Sequence, residues 1–304
     1  MWVGAGLATS VLIIVGTSWW ADIPFGALWA RLGMISVVDL GLIICTSGGT
    51  WALRAARLRV LFTSLSFAQT LYISSTHTAL TRLLPARAGE LSLPVLLKRD
   101  AQTPLAEGAL TMVWLRLIEV ACLGSLTASA AMMTVMPEVV SPQVSLALVV
   151  VSLGAALSGR PLLRSALLAL GRYVDRVRPL TESLNAQRQL SSLQVIMTIG
   201  LTCSIMLCQA LLFSFILWSM DARISYVYAL LGSMAVHLAG VLPAPTIGNV
   251  GTHEAGWILI YVQLGVSAAA ATASALISQW LTLALAMCWW GLSALFIVRE
   301  ETKG

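Results

Sequence analysis

Of the chain's 304 residues, 58% are hydrophobic and only 10% are charged, with a mean hydropathy of +0.88. A soluble domain carries about 25% charged residues, so this composition excludes a water-soluble fold and points to an all-α polytopic membrane protein. A net charge of +5 could serve nucleic acid, but membrane topology accounts for most of the basic excess, and no nucleic-acid partner is expected.

A spanning helix needs about 20 mostly apolar residues. The segments 4-20, 33-52, 61-81, 105-134, 143-158, 193-219, 225-242 and 266-297 qualify, and they predict about seven or eight spans. The first lacks a basic leader and a small-residue cleavage site, which reads as a retained helix. Asp39 falls mid-span in the second segment and is a candidate proton carrier. Segments 105-134 and 266-297 exceed one bilayer thickness and predict tilt, a break or extension into water.

Arg54, Arg57 and Arg59 follow the second span. Arg160, Arg164, Arg172, Arg176, Arg178 and Arg188 fill the connection 159-192, and Arg299 and Lys303 lie near the last residue. The positive-inside rule makes these three places and the N-terminus cytoplasmic, with Glu138 and Asp221 outside and Arg31 and Arg223 as exceptions. Within 159-192, Leu163, Leu167 and Leu170 alternate at helical spacing with Arg164, Arg172 and Arg176. That pattern predicts an amphipathic helix at the cytoplasmic interface.

Two places break the apolar pattern. Residues 81–90 carry Leu84-Pro85-Ala86 and end on Glu90; residues 241–256 carry Leu242-Pro243-Ala244 and later Glu254. Proline and glycine end helices there, and open backbone at membrane depth survives only inside protein or beside a watery cavity. Both therefore read as broken or re-entrant segments. Each follows an apolar helix and precedes a short apolar run (91-97 and 255-265) and then a long span. Units 61-134 and 225-297 thus form a candidate inverted-topology repeat within one transmembrane domain, 1-304.

Ionisable groups inside apolar segments are costly and mark function or pairing. Arg87 and Glu90 stand at i, i+3, as do Arg116 and Glu119, so each pair can neutralise itself on a helix. In the second break, Gly248, Asn249 and Gly251 precede Glu254, and backbone N–H groups at those glycines can meet an anion or simply form a tight turn. His77 and His237 read as core histidines with satisfied nitrogens. Cys45, Cys122, Cys203, Cys208 and Cys288 lie in apolar segments without metal-ligand spacing and read as small buried hydrophobes. No nucleotide loop, nucleophile elbow or paired-aspartate metal motif occurs. No cofactor, metal or enzymatic activity is expected.

The breaks resemble the lysylphosphatidylglycerol synthase transmembrane family, the flippase-like domain of multiple-peptide-resistance proteins. Its Leu-Pro-x-Arg-x-Gly-Glu motif is matched by Leu84 to Glu90, its Arg-x-x-acid motif by Arg116 to Glu119, and its late glycine-rich segment in part by Gly248 to Ala255. The chain departs from the pattern at Asn249, Leu115 and Gln279. The resemblance implies translocation of a lipid, an aminoacylated phospholipid or a polyprenyl-linked sugar, between membrane leaflets. In the bacterial cytoplasmic membrane, Arg87 would bind the lipid phosphate, backbone around Gly248 and Gly251 would add donors, and Glu90 and Glu254 would gate or pair with a cationic group. It implies no lipid synthesis by this chain. Partners compatible with it are a membrane lipid with an anionic headgroup, a second copy of the chain, or a membrane glycosyltransferase or lipid-synthesis enzyme. An ion- or proton-coupled small-solute transporter, titrating at Asp39 and Glu90, is the alternative.

The orientation has a direct check. Cysteines introduced at positions 176 and 303 should stay protected from an impermeant thiol reagent in intact cells, while one at 138 should react. External labelling at 176 would overturn the orientation and the inverted repeat built on it.

Overall fold

The computed structural model describes residues 33, 35–134, 142–173, 190–220, 222, 224–241 and 251–301. Among these, every regular element is helical, as the composition requires. In chain order they are α1 (Val37–Leu61), α2 (Phe67–Leu83), a 3-10 turn (Pro85–Leu91), α3 (Ser92–Ala101), α4 (Leu105–Thr134), α5 (Pro142–Tyr173), α6 (Ser192–Trp218), α7 (Tyr226–Val241), α8 (Thr252–Gln263) and α9 (Ala268–Glu301). Among the described residues, three stretches are long and apolar enough to cross a bilayer: Leu105–Ala130, Ser192–Trp218 and Ala268–Ile297.

Helix starts follow local side-chain chemistry. Ser66 and Gln69 open α2 as a reciprocal cap: Ser66 N–H donates to Gln69 Oε1 at 2.8 Å, and Gln69 N–H donates to Ser66 Oγ at 3.2 Å. Ser191 and Gln194 repeat the arrangement before α6, at 3.0 and 3.3 Å. Each satisfies two of the orphan donors at a helix N-terminus. Ser36 caps α1 in the same way, accepting Asp39 N–H at 3.0 Å and donating to Asp39 Oδ2 at 2.7 Å. Asp39 therefore stands in the first turn of α1, not mid-span, and its carboxylate is engaged in capping.

Two expected boundaries move. Helix α1 does not end before the arginines but carries Arg54, Arg57 and Arg59 on its last turns, because the apolar spacing continues through the buried Ala55 and Leu58. Helix α5 runs unbroken through Pro161, merging the span 143-158 with the first half of the connection 159-192. A proline there removes one backbone bond, a cost of about 3 kcal/mol that the flanking helix absorbs. Arg160 and Arg164 thus lie on α5 itself. Positions 174–189, including Arg176, Arg178 and Arg188, lie outside the described residues.

The first break is built as expected from proline and glycine. Pro85 ends the α-helical pattern, and the chain continues as the 3-10 turn into the short α3. The turn folds back on the helix it leaves: a Cβ on Gly89 would sit 2.2 Å from the Leu80 carbonyl oxygen and 2.4 Å from Thr81 Cα. Only a residue without a side chain permits that approach. The second break gives the same element order, a medium helix (α7), then the short α8 and the long α9. Positions 242–250, including Gly248 and Asn249, lie outside the described residues.

The chain divides into two compact units. One comprises Thr78–Gly89, Leu207–Leu292 and the chain up to Thr50. Its core gathers Ile43, Phe213, Ile216, Leu217, Trp257 and Tyr261. The other comprises Trp51–His77, Glu90–Met206 and Ser293–Gly304. Its core gathers Leu58, Ile73, Leu97, Trp114, Ile118 and Cys122. Hydroxyls within these helices turn back on their own backbone: Thr198 and Thr202 donate to the carbonyls of Gln194 and Thr198 at 2.7 and 2.8 Å. Apolar surroundings offer no water, so a buried hydroxyl must find its acceptor in the helix.

Gly89 gives the test of the first break. Gly89→Ala forces a side chain against backbone and should cost about 1–3 kcal/mol, read as a lowered melting temperature in detergent. Gly41→Ala, where a Cβ meets nothing within 4 Å, should be neutral or slightly stabilising. Equal behaviour of the two variants would refute the close packing of the turn.

Candidate functional site

Four charged side chains form a chain of ion pairs in the second unit. Glu119 on α4 lies between two arginines: Arg57 Nη1 donates to its Oε1 at 3.0 Å, and Arg116 Nη1 donates to its Oε2 at 2.6 Å. Arg57 Nη1 also donates to Thr202 Oγ1 on α6 at 3.2 Å. Arg116 Nη2 reaches back to Glu90 Oε1, at the end of the 3-10 turn, at 3.2 Å. Two cations and two anions balance, which is what an apolar setting demands of charged groups.

The two ends of this chain differ. The Arg57 side chain is 9% exposed and Glu119 18%, so that pair is sealed among α1, α4 and α6. The Arg116 side chain is 44% exposed, and its bond to Glu90 is the longest ion-pair distance of the series. Arg116 is held by two carboxylates yet presents an open flank. Beside the network, His77 Nδ1 shares a hydrogen bond with Ser92 Oγ at 3.0 Å, a satisfied histidine as expected.

Of the two expected local pairs, Arg116–Glu119 forms at i, i+3. Glu90 takes Arg116 from the following helix, 26 residues on. The Arg87 side chain lies outside the described residues, although its backbone is placed in the 3-10 turn. Arg57 was read as a marker of topology, and the structure also makes it a buried member of the site. The signal for it in the sequence is the apolar periodicity that continues past the arginines, which keeps them on the helix rather than in a loop. Arg160 is also paired, with Glu107 of α4, and stands 5.7 Å over the Trp114 ring.

The second break places Glu254 in the first turn of α8. Gly251 holds φ at +96°, a conformation that glycine tolerates, and its N–H donates to Glu254 Oε2 at 2.6 Å. The positive end of α8 is thus partly capped by the chain's own carboxylate, and the Gly251 N–H is engaged rather than offered to an outside anion. Glu254 is 1% exposed, and among the described residues its other oxygen, Oε1, has no hydrogen-bond partner; neither has Nδ1 of the neighbouring His253. His253 stacks on Trp257 at 5.7 Å between ring centroids, and Phe213 meets both rings edge-on. His237 binds the Ser233 carbonyl at 2.6 Å. Arg82 Nη1 donates to Thr282 Oγ1 at 3.2 Å.

The network predicts unequal costs for its members. Glu119→Ala leaves two guanidiniums without their shared carboxylate and should destabilise by about 3–5 kcal/mol. Glu90→Gln removes the longest contact and leaves Arg116 paired with Glu119, so it should cost about 1 kcal/mol or less. Thermal denaturation in detergent checks the order, and equal losses would refute the division into a sealed and an open end.

No curated protein matches the chain. The family described as the lysylphosphatidylglycerol synthase TM region matches residues 7–289, almost the whole length. The match takes in both breaks and the ion-pair chain, and the chain is a member of that membrane-protein family.

Proposed function

We propose that the chain moves an anionic lipid, a phospholipid or a polyprenyl-linked lipid, between the leaflets of the bacterial cytoplasmic membrane, with both termini on the cytoplasmic side. The observation that supports this reading is the open end of the ion-pair chain. A guanidinium presents a planar fork that suits a phosphate bidentately. At Arg116 the fork is occupied on one side by Glu119 at 2.6 Å and on the other by the longer contact to Glu90 at 3.2 Å. A lipid phosphate that displaces Glu90 leaves Arg57–Glu119–Arg116 intact, so the helices keep their packing while the anion binds. The released Glu90 carboxylate then faces any cationic group on the same headgroup. Arg87, three residues before Glu90 in the 3-10 turn, is the second proposed phosphate ligand. Binding and exchange of this kind need no covalent step, so the reading is transport rather than synthesis.

A second reading, a proton-coupled transporter of a small solute, draws on Glu254 Oε1 and His253 Nδ1, which have no hydrogen-bond partner among the described residues. Asp39 no longer supports it, since its carboxylate caps α1.

Leaflet exchange of a labelled phospholipid in reconstituted vesicles separates these. Arg116→Ala combined with Glu90→Gln retains the sealed Arg57–Glu119 pair and should fold, yet lose exchange. Arg116→Lys should restore only part of it, because a point charge replaces the fork. Wild-type exchange in the double variant would rule out the phosphate role. Uptake of a solute driven by a pH gradient, abolished by Glu254→Gln, would favour the second reading.

A further inference from the structure

Cys122 on α4 and Cys203 on α6 meet in the core of the second unit, with their sulfurs 3.3 Å apart. Both are free thiols; Cys122 is 1% exposed and Cys203 is partly exposed. A packing role asks only for small apolar volume and does not require that two sulfurs on different helices meet. Cys208, by contrast, donates to the Thr46 carbonyl. We propose that Cys122 and Cys203 are a redox-active pair, which a peroxide converts into a disulfide joining α4 to α6.

The chemistry balances in two steps. The Cys203 sulfur, the more open of the two, attacks one peroxide oxygen; the O–O bond breaks, the departing hydroxide takes the thiol proton as water, and a sulfenic acid remains on Cys203. The Cys122 sulfur then attacks that sulfur, the S–S bond forms, and the sulfenic hydroxyl leaves with the Cys122 proton as a second water. Two thiols lose two electrons and one peroxide gains them. A disulfide needs its sulfurs about 2.0 Å apart, so the pair must close by about 1.3 Å from its present separation.

The pair stands next to the ion-pair chain. Cys122 lies three residues after Glu119 on α4, and Cys203 directly follows Thr202 on α6; Glu119 and Thr202 both receive Arg57 Nη1. A covalent link there holds α4 and α6 at fixed separation beside Arg116. The bond itself follows from the sulfur geometry alone. Its effect on transport, slower exchange, rests on the translocation reading above.

The test uses the full-length protein in vesicles, treated with hydrogen peroxide, quenched with an alkylating reagent and digested for mass spectrometry. A peptide linking Cys122 to Cys203 is expected in the wild type. It should vanish on reduction and be missing from Cys122→Ser and Cys203→Ser, with Cys203→Ala as a second variant should the serine fail to fold. Leaflet exchange should slow severalfold on oxidation, recover on reduction, and ignore peroxide in the variants. If both thiols remain alkylatable after peroxide, or Cys203 over-oxidises without a linked peptide, the redox pair is refuted. A linked peptide with unchanged exchange overturns the coupling to transport. Reduced wild-type protein without any exchange overturns the translocation reading instead, while the linked peptide still decides the pair.

Discussion

A carboxylate with two oxygens, each claimed by a different arginine, is the interaction on which the described part of this protein turns. Glu119 sits on a helix apolar enough to cross a bilayer. An isolated charge at that depth costs at least a few kcal/mol. Taking Arg57 from α1 and Arg116 from α4 removes that cost and, through Thr202, draws in α6. The extension of α1 past its expected end is a consequence. Arg57 could not be buried as part of a solvated loop, but as a helical residue with a carboxylate partner it can.

The same demand governs the uncharged polar groups. Serine and threonine hydroxyls inside the helices donate to carbonyls one turn back, and the helix starts that begin with Ser-x-x-Gln or Ser-x-x-Asp satisfy their first backbone donors locally. Both breaks follow this logic by different means. The first is closed by a 3-10 turn pressed against α2 through Gly89. The second begins its short helix with a glycine at positive φ whose N–H is held by Glu254. Backbone that is not α-helical survives in an apolar setting when its donors and acceptors find partners within the protein.

Membership of the lysylphosphatidylglycerol synthase TM region family fits a site of balanced charges. Of the two arginines on Glu119, Arg57 is sealed while Arg116 keeps an exposed side chain. The capped N-terminus of α8 is less suited to an outside anion, since a carboxylate already stands there.

Composition and hydrophobic spacing alone determined that the chain is helical and membrane-borne, that it is interrupted after Leu84 and again before Glu254, and that His77 and His237 serve packing. These properties belong to short windows of sequence: hydropathy, proline, glycine and residues three or four apart on one helix. The i, i+3 rule accordingly found Arg116–Glu119. It could not find Arg57–Glu119, 62 residues apart, nor the meeting of Cys122 with Cys203, 81 residues apart. It also paired Glu90 with its neighbour Arg87, whose side chain lies outside the described residues, and it could not find Arg116, 26 residues on, within reach of Glu90. Which charge neutralises which is decided when helices pack, because a charge in an apolar setting needs a polar partner and only the tertiary structure settles which one lies within about 3 Å.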